Sequence, residues 1–311
     1  MTAPKPAPPT RRLMPALAAV AARSGITVMA RVERGQILWA VVESEGAVAQ
    51  MPESGRVRLA EAGRTGGIFV EVLHEALRAL DAPEAEVHLM VELPPMLRDL
   101  DERLAALGHR VVEAYAPVAG RQAAGAALKE LAAQLYAQVH VATDASRAKR
   151  GELSGAGWII DFGLGSTPRL KHRVCPRTTV LEAELKAIHL GLWEALQRIP
   201  HEHQADTRFV IRSDSQNAVK LVHGEIDHAR GLTLNGKGTV DAIRRLMTGL
   251  DVDLGWVRGH AGDVHNELAD RLAVMARRNA EFGVPKARAR QMLDELRTEA
   301  AEQLISYSLA A

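Results

Sequence analysis

The chain has a single cysteine, Cys175, in 311 residues. That excludes an intramolecular disulfide and any metal cluster built from cysteines alone, and it suits a reducing compartment. An excess of one sign of charge is also missing, since 39 Lys and Arg face 38 Asp and Glu for a net charge of +1. A wholesale basic surface is therefore excluded, and any contact with nucleic acid must come from local patches. No uninterrupted apolar run reaches the length that spans a bilayer. The opening MTAPKPAPPTRRL carries proline and positive charge, but no apolar core with a cleavage pattern follows it. LMPALAAVAA fits a short helix better than a signal, and a cytoplasmic protein is the expectation. What is present is a hydrophobic fraction of 47%, enough for real cores, in a length that suits two domains.

Residues 1–24 read as a Pro/Ala/Lys-rich flexible tail with a short helix over Arg12–Arg23. ITVMARV, QILWAVVES and AVAQM predict three strands. GIFVEVLHEALRALDAP predicts a helix closed by Pro83, and EVHLMVEL a strand. A helix framed by Pro95 and Gly108 and the strand HRVVEAY follow. The order β-β-β-α-β-α-β makes residues 25–117 an N-terminal α/β domain. Composition shifts to Ala and Gly over 118–136, a linker that runs into a helix.

VHVATDAS, GAGWIIDFG and PRLKHRV then predict three strands, TTVLEAELKAIHLGLWEALQRI a long helix and RFVIRSDS a fourth strand. The helix QNAVKLVHG, the variable stretch EIDHARGLTLNGKG and the helix TVDAIRRLMTGL precede a fifth strand, VDLGWVRG. A helix from Asp263 to Arg278 completes a second α/β domain over 137–282. Residues 285–308 predict an amphipathic helix whose Met292, Leu293, Leu296 and Leu304 pack within the monomer.

Four acidic residues of this second half fall at element ends: Asp144 in VATDAS, Glu184 in LEAELKAI, Asp214 in IRSDSQ and Asp270 on the last helix of the domain. Neighbouring first and fourth strands would set Asp144 and Asp214 side by side, where ligand sites of α/β sheets collect. Two aspartates there repel each other unless a cation neutralises them. All-oxygen ligation suits a hard cation, Mg²⁺ or alternatively Mn²⁺. Asn266 lies four residues before Asp270 and shares its helix face, while Leu268, Leu272 and Met275 share another that packs inward. Asp263 fits the cap of that helix. His201 and His203 in PHEHQAD read as solvated, and Cys175 as structural.

TDAS, RTT with EL.AI, SDSQ and WVRGHAG with NE.AD.LA occur in this order across residues 137–280, and together they resemble ribonuclease H of type 1. The resemblance implies a mixed five-stranded sheet with flanking helices. It also implies two-metal-ion endonucleolytic hydrolysis of the RNA strand of RNA–DNA hybrids. It gives catalytic metal-ligand roles to Asp144, Glu184, Asp214 and Asp270. Of the two nearby glutamates, Glu182 and Glu184, the helix is expected to turn only one inward, and the motif favours Glu184. His260 falls on the loop histidine that assists proton transfer or product release. Substrate contacts fall on Arg177, Thr178 and Thr179, which would hold a phosphate, on Gln216, which would read the minor groove, and on Asn266.

Three departures bear on specificity. Val180 and Leu181 stand where many bacterial members have two asparagines. RAKRGELSGAG, with Arg147, Lys149 and Arg150, replaces a glycine-rich loop, and HARGLTLNGKG leaves Arg230 and Lys237 as the cations of a reduced handle. A nuclease acting on other duplexes or on structured RNA, or a non-catalytic nucleic-acid-binding module, are the alternative readings. The N-terminal half shows no aromatic-glycine signature of a hybrid-binding module. Its element order suggests a degenerate copy of the same fold, with Glu92 at the fourth-strand position and no carboxylate ending ITVMARV. Presenting nucleic acid, binding a protein partner or mediating a homodimer are its expected roles; no membrane partner is expected.

Overall fold

The computed structural model describes residues 25–59, 62, 66–82, 84–148, 152–163, 166–227 and 232–310. The tail and first helix expected over 1–24, Pro83, Lys149, Arg150 and Arg230 lie outside the described residues. The chain divides into two compact units between Gln134 and Leu135.

The first unit begins with a hairpin, β1 (Gly25–Glu33) and β2 (Gln36–Glu45), paired antiparallel from Gly25↔Ser44 to Glu33↔Gln36. The short β3 (Val48–Ala49) and then β4 (Glu53–Arg58) add to the far side of β2. β4 is a correction to the expected third strand. AVAQM contributes only two strand residues, whereas ESGRVR pairs with β2 over six. ESGRVR is a polar edge strand, with little of the apolar alternation by which strands are found. Helix α1 (Gly67–Ala79) buries Phe69, Val70, Leu73, Ala76 and Leu77 as one stripe. β5 (Glu86–Glu92) runs parallel to β1. α2 (Leu100–Ala106) is followed by β6 (Arg110–Val111), much shorter than HRVVEAY suggested, and α3 (Val118–Tyr136). The sheet order is β4-β2-β1-β5-β6, with β3 also on β2. β1 also extends beyond ITVMARV to a carboxylate, Glu33, which pairs with Arg31 at 2.9 Å.

The second unit repeats that strand order. β7 (Gln138–Arg147), β8 (Leu153–Asp161) and β9 (Arg169–Pro176) form an antiparallel meander, and α4 (Val180–Leu196) crosses back over it. After the short α5 (His201–Gln204), β10 (Arg208–Ser213) pairs parallel with β7. His203, expected to be solvated, stacks on Tyr136 at 4.9 Å. α6 (Gln216–His223) and α7 (Leu234–Met247) precede β11 (Asp251–Trp256), which is parallel to β10. α8 (Val264–Glu281) and α9 (Lys286–Ala310) close the chain. α7 starts five residues earlier than expected, because Thr233 caps it by accepting from the Gly236 N–H at 3.2 Å.

The sheet order β11-β10-β7-β8-β9 puts the first and fourth strands of this unit at its centre. α8 lies directly on β8, and a Cβ at Gly157 would collide with the Ala269 carbonyl. Leu268, Leu272 and Met275 of α8 share a core with Ala142, Ile159 and Leu170, which Leu296, Ala300 and Leu304 of α9 complete. No described helix is long and apolar enough to cross a membrane.

Candidate active site

The last pairing between β7 and β10 is Thr143↔Ser213, so the next residue of each strand, Asp144 and Asp214, comes side by side. The parallel register thus turns two distant aspartates into neighbours at the carboxyl ends of the central strands. Thr179 caps α4 in a capping box with Glu182, and that sets the helix phase by which Glu184 faces the two aspartates. Ligand oxygens of Asp144, Glu184 and Asp214 lie within 4.8 Å of one another.

Asp144 and Glu184 are only 5% and 4% exposed. Burial first, then Asp214 and Asp270, push the Asp144 carboxyl up to about 8, while the Ala145 N–H at 2.6 Å works the other way. Burial and the Asp144 and Asp214 charges hold Glu184 well above the carboxylate range. Burial also raises Asp214, reinforced by Asp270 and opposed by His260. Asp270 stands outside the compact group of three, yet its influence on both aspartates places it at their side. Burial and mutual repulsion thus favour the protonated carboxyls in the absence of a cation.

The donor set fits a hard divalent cation. It is entirely carboxylate, and Glu184 Oε2 is buried without a hydrogen-bond partner. An orphaned acceptor inside a like-charged cluster costs free energy that a cation removes.

Three residues of the WVRGHAG motif surround Asp214, and of these the sequence had singled out only His260. Trp256 ends β11 half-exposed, and its indole Nε1 donates to the Asp214 carbonyl at 2.9 Å. A Cβ at Gly259 would stand 2.8 Å from Asp214 Oδ2, so glycine there lets the loop close onto the aspartate. His260 follows in the left-handed region, at φ 53°, and is exposed.

Glu182 corrects the expectation that only one of the two glutamates turns inward, for both are buried. Its Oε2 accepts from the Thr179 N–H at 3.2 Å. Its Oε1 accepts from the Thr233 N–H at 3.0 Å and from the Thr233 hydroxyl. Burial pushes its carboxyl up, but these bonds outweigh it and the pKa is lowered. Glu182 thus ties together the starts of α4 and α7, away from the acidic cluster.

Arg177 is exposed beside Glu152 at 3.6 Å. The Thr178 hydroxyl donates to the Cys175 carbonyl at 2.8 Å, and Thr179 accepts in its cap, which leaves its proton free. Gln216 is exposed at the start of α6. Asn266 is 3% exposed, with Oδ1 buried and unpartnered, so it lies beneath the surface and not on it. Its backbone N–H donates to Asp263, the cap of α8, at 2.9 Å.

A mixed sheet in the order 3-2-1-4-5, with carboxylates gathered where strands one and four end, defines a ribonuclease-H-like fold. The family model for RNase H matches residues 136–278. Ribonuclease H of Bordetella pertussis is 33% identical over 145 residues, covering 44% of this chain and 86% of that protein. Ribonuclease H of Methylorubrum extorquens is 41% identical over 83 residues, 24% of this chain, and the match spans only 35% of that relative's length. RNase H1 of Halobacterium salinarum aligns with a TM-score of 0.37 at 24% identity, over 45% of this chain and 96% of that one. The chain belongs to the ribonuclease H family.

Proposed function

We propose that this protein is a divalent-metal-dependent endonuclease that hydrolyses the RNA strand of RNA–DNA hybrids. The observation that carries the reading is the convergence of Asp144, Glu184 and Asp214, with Glu184 Oε2 buried and unpartnered. These three residues and Asp270 would hold Mg²⁺, or Mn²⁺ in its place. Bound there, such ions supply Lewis acidity and a water of lowered pKa for attack on a phosphodiester.

The remaining groups bind and orient. Thr178 uses its proton on Cys175, so the phosphate donors left in this segment are the Arg177 guanidinium and the Thr179 hydroxyl. Gln216, exposed two residues after Asp214, would reach a minor groove. His260, on a loop that glycine lets close onto Asp214, would move a proton or help the product leave. Asn266 is too buried to join this surface. Val180 is exposed at the head of α4, an apolar side chain where a base or 2′-hydroxyl contact is expected. That observation favours a looser choice of duplex than a strict hybrid nuclease makes. A cytoplasmic setting suits the single buried thiol of Cys175.

The test presents one labelled RNA strand as hybrid, as duplex RNA and alone, with Mg²⁺ or Mn²⁺, beside the Asp214→Asn variant. Cleavage of the hybrid, lost in the variant, is the expected result. Hybrid binding without cleavage in either form would overturn it in favour of a binding module.

A further inference from the structure

The fifth strand of the N-terminal sheet is cut short. β6 pairs with β5 only through Glu86↔Arg110 and Val87↔Val111, and the bond from Val112 N–H to the Val87 carbonyl at 3.0 Å ends the ladder. The corresponding β11 pairs with β10 over six residues, Arg208 to Ser213. His88, fully buried, meets the Ala114 carbonyl at 3.2 Å, so after β6 the chain is held by the His88 ring and not by the ladder. On its other side β5 is paired with β1 as far as Arg31↔Glu92. Backbone groups alternate sides along a strand, so Leu89 and Val91 present N–H and C=O to the short side, as Val87 does. No described strand takes them.

Beside this edge lies a groove of about 630 Å³. Leu89, Val91, Leu93, Leu97 and Val111 supply its apolar lining, and its rim carries Asp101, Glu102 and Glu113 against a single cation, Arg98. All four rim residues are exposed. An open edge is a template for another strand. Main-chain bonds to such an edge give affinity, and pockets for alternate side chains give specificity.

We propose that the open edge of β5 is a docking site for an extended peptide strand of a partner protein, one that alternates apolar and basic residues. The length fits, because β6 falls four residues short of β11, or ~13 Å of strand. The apolar lining takes every second side chain. The three rim carboxylates select basic residues and disfavour a second copy of this chain, since edge-to-edge pairing would bring two acidic rims together.

The experiment uses the full chain and a fluorescent peptide alternating valine and lysine, read by anisotropy and by hydrogen exchange over residues 88–92. Saturable binding that slows exchange there is expected. It should weaken at least about fivefold in Asp101→Lys/Glu102→Lys, a change of two exposed side chains, while a valine–glutamate peptide gains. With the unaltered protein, a backbone N-methylated valine–lysine peptide should not bind. Absence of binding, or binding indifferent to both the charge reversal and N-methylation, overturns the proposal. So does a dimer whose edge is already protected without peptide. None of these readouts depends on hybrid cleavage.

Discussion

The two sheets share one strand order, and the ends of their central strands differ in charge. In the C-terminal unit the register after Thr143↔Ser213 delivers Asp144 and Asp214, to which α4 adds Glu184 and α8 adds Asp270. At the same end of the N-terminal sheet Arg31 faces Glu92 across the ladder and pairs with Glu33 at 2.9 Å. No acidic residue is among those α1 buries. One end pairs its charges, and the other gathers carboxylates that a cation would neutralise. The same topology can therefore carry a catalytic centre or only a surface, and a few side chains at strand ends decide which.

The largest effect should separate the two ends directly. Asp214→Asn is expected to lower hybrid cleavage about 10³-fold or more with the fold intact, whereas Glu92→Gln should leave the rate unchanged. Equal losses in single-turnover assays would mean that both sheets take part in the chemistry.

Next comes the cost of the acidic cluster. The folded Asp144 pKa of about 8 lies far above the ordinary value near 3.9. Its contribution to stability is thus complete below about pH 4 and is lost as pH rises through about 8. With metal chelated, denaturant unfolding of the C-terminal unit should show stability falling over that window. Asp144→Asn should raise stability by roughly 2–4 kcal/mol at pH 7.5 and flatten the profile. Added Mg²⁺ should stabilise the unaltered protein, by about 2.7 kcal/mol at a hundredfold excess over Kd, and leave this variant nearly unmoved. A variant less stable than the parent without metal would show that the carboxylates do not repel.

A third comparison concerns how each sheet meets a helix packed against it. In the C-terminal unit the strand supplies the space, at Gly157 under the Ala269 carbonyl; in the N-terminal unit the helix does, at Gly120 over the Thr27 hydroxyl. Gly157→Ala must push backbone away and should cost about 2–3 kcal/mol. Gly120→Ala presses on the buried hydroxyls of Thr27 and Ser44 and on the Thr27 Cβ, side-chain atoms that give more readily than a backbone carbonyl, and it gains helix propensity, for a net cost of about 1–2 kcal/mol. Thermal unfolding that ranks them the other way would place the tighter contact in the N-terminal unit.

Most helices were legible because their apolar spacing and caps are local: α8 follows Asp263, and α4 follows Thr179 with Glu182 at its third position. β4 was not, because ESGRVR is a polar edge whose pairing with β2 leaves little hydrophobic trace. The motif carboxylates could be named from their places at element ends, yet Glu182 and Asn266 show what spacing leaves out. Glu182 is buried to bind Thr233, fifty-one residues away, and Asn266 lies under the surface it was expected to line. Trp256 sat inside a recognised motif, but its bond to the Asp214 carbonyl depends on where β11 ends beside β10.

The sequence by itself determined the order of the main elements in the C-terminal unit and set acidic residues at their ends. These follow from local periodicity, capping and the chemistry of side chains. Tertiary structure alone decided that Asp144, Glu184 and Asp214 meet within 4.8 Å, and that among the described strands β6 covers only the start of β5. Strand register and helix phase set those distances, and both arise from pairings between residues far apart in the chain.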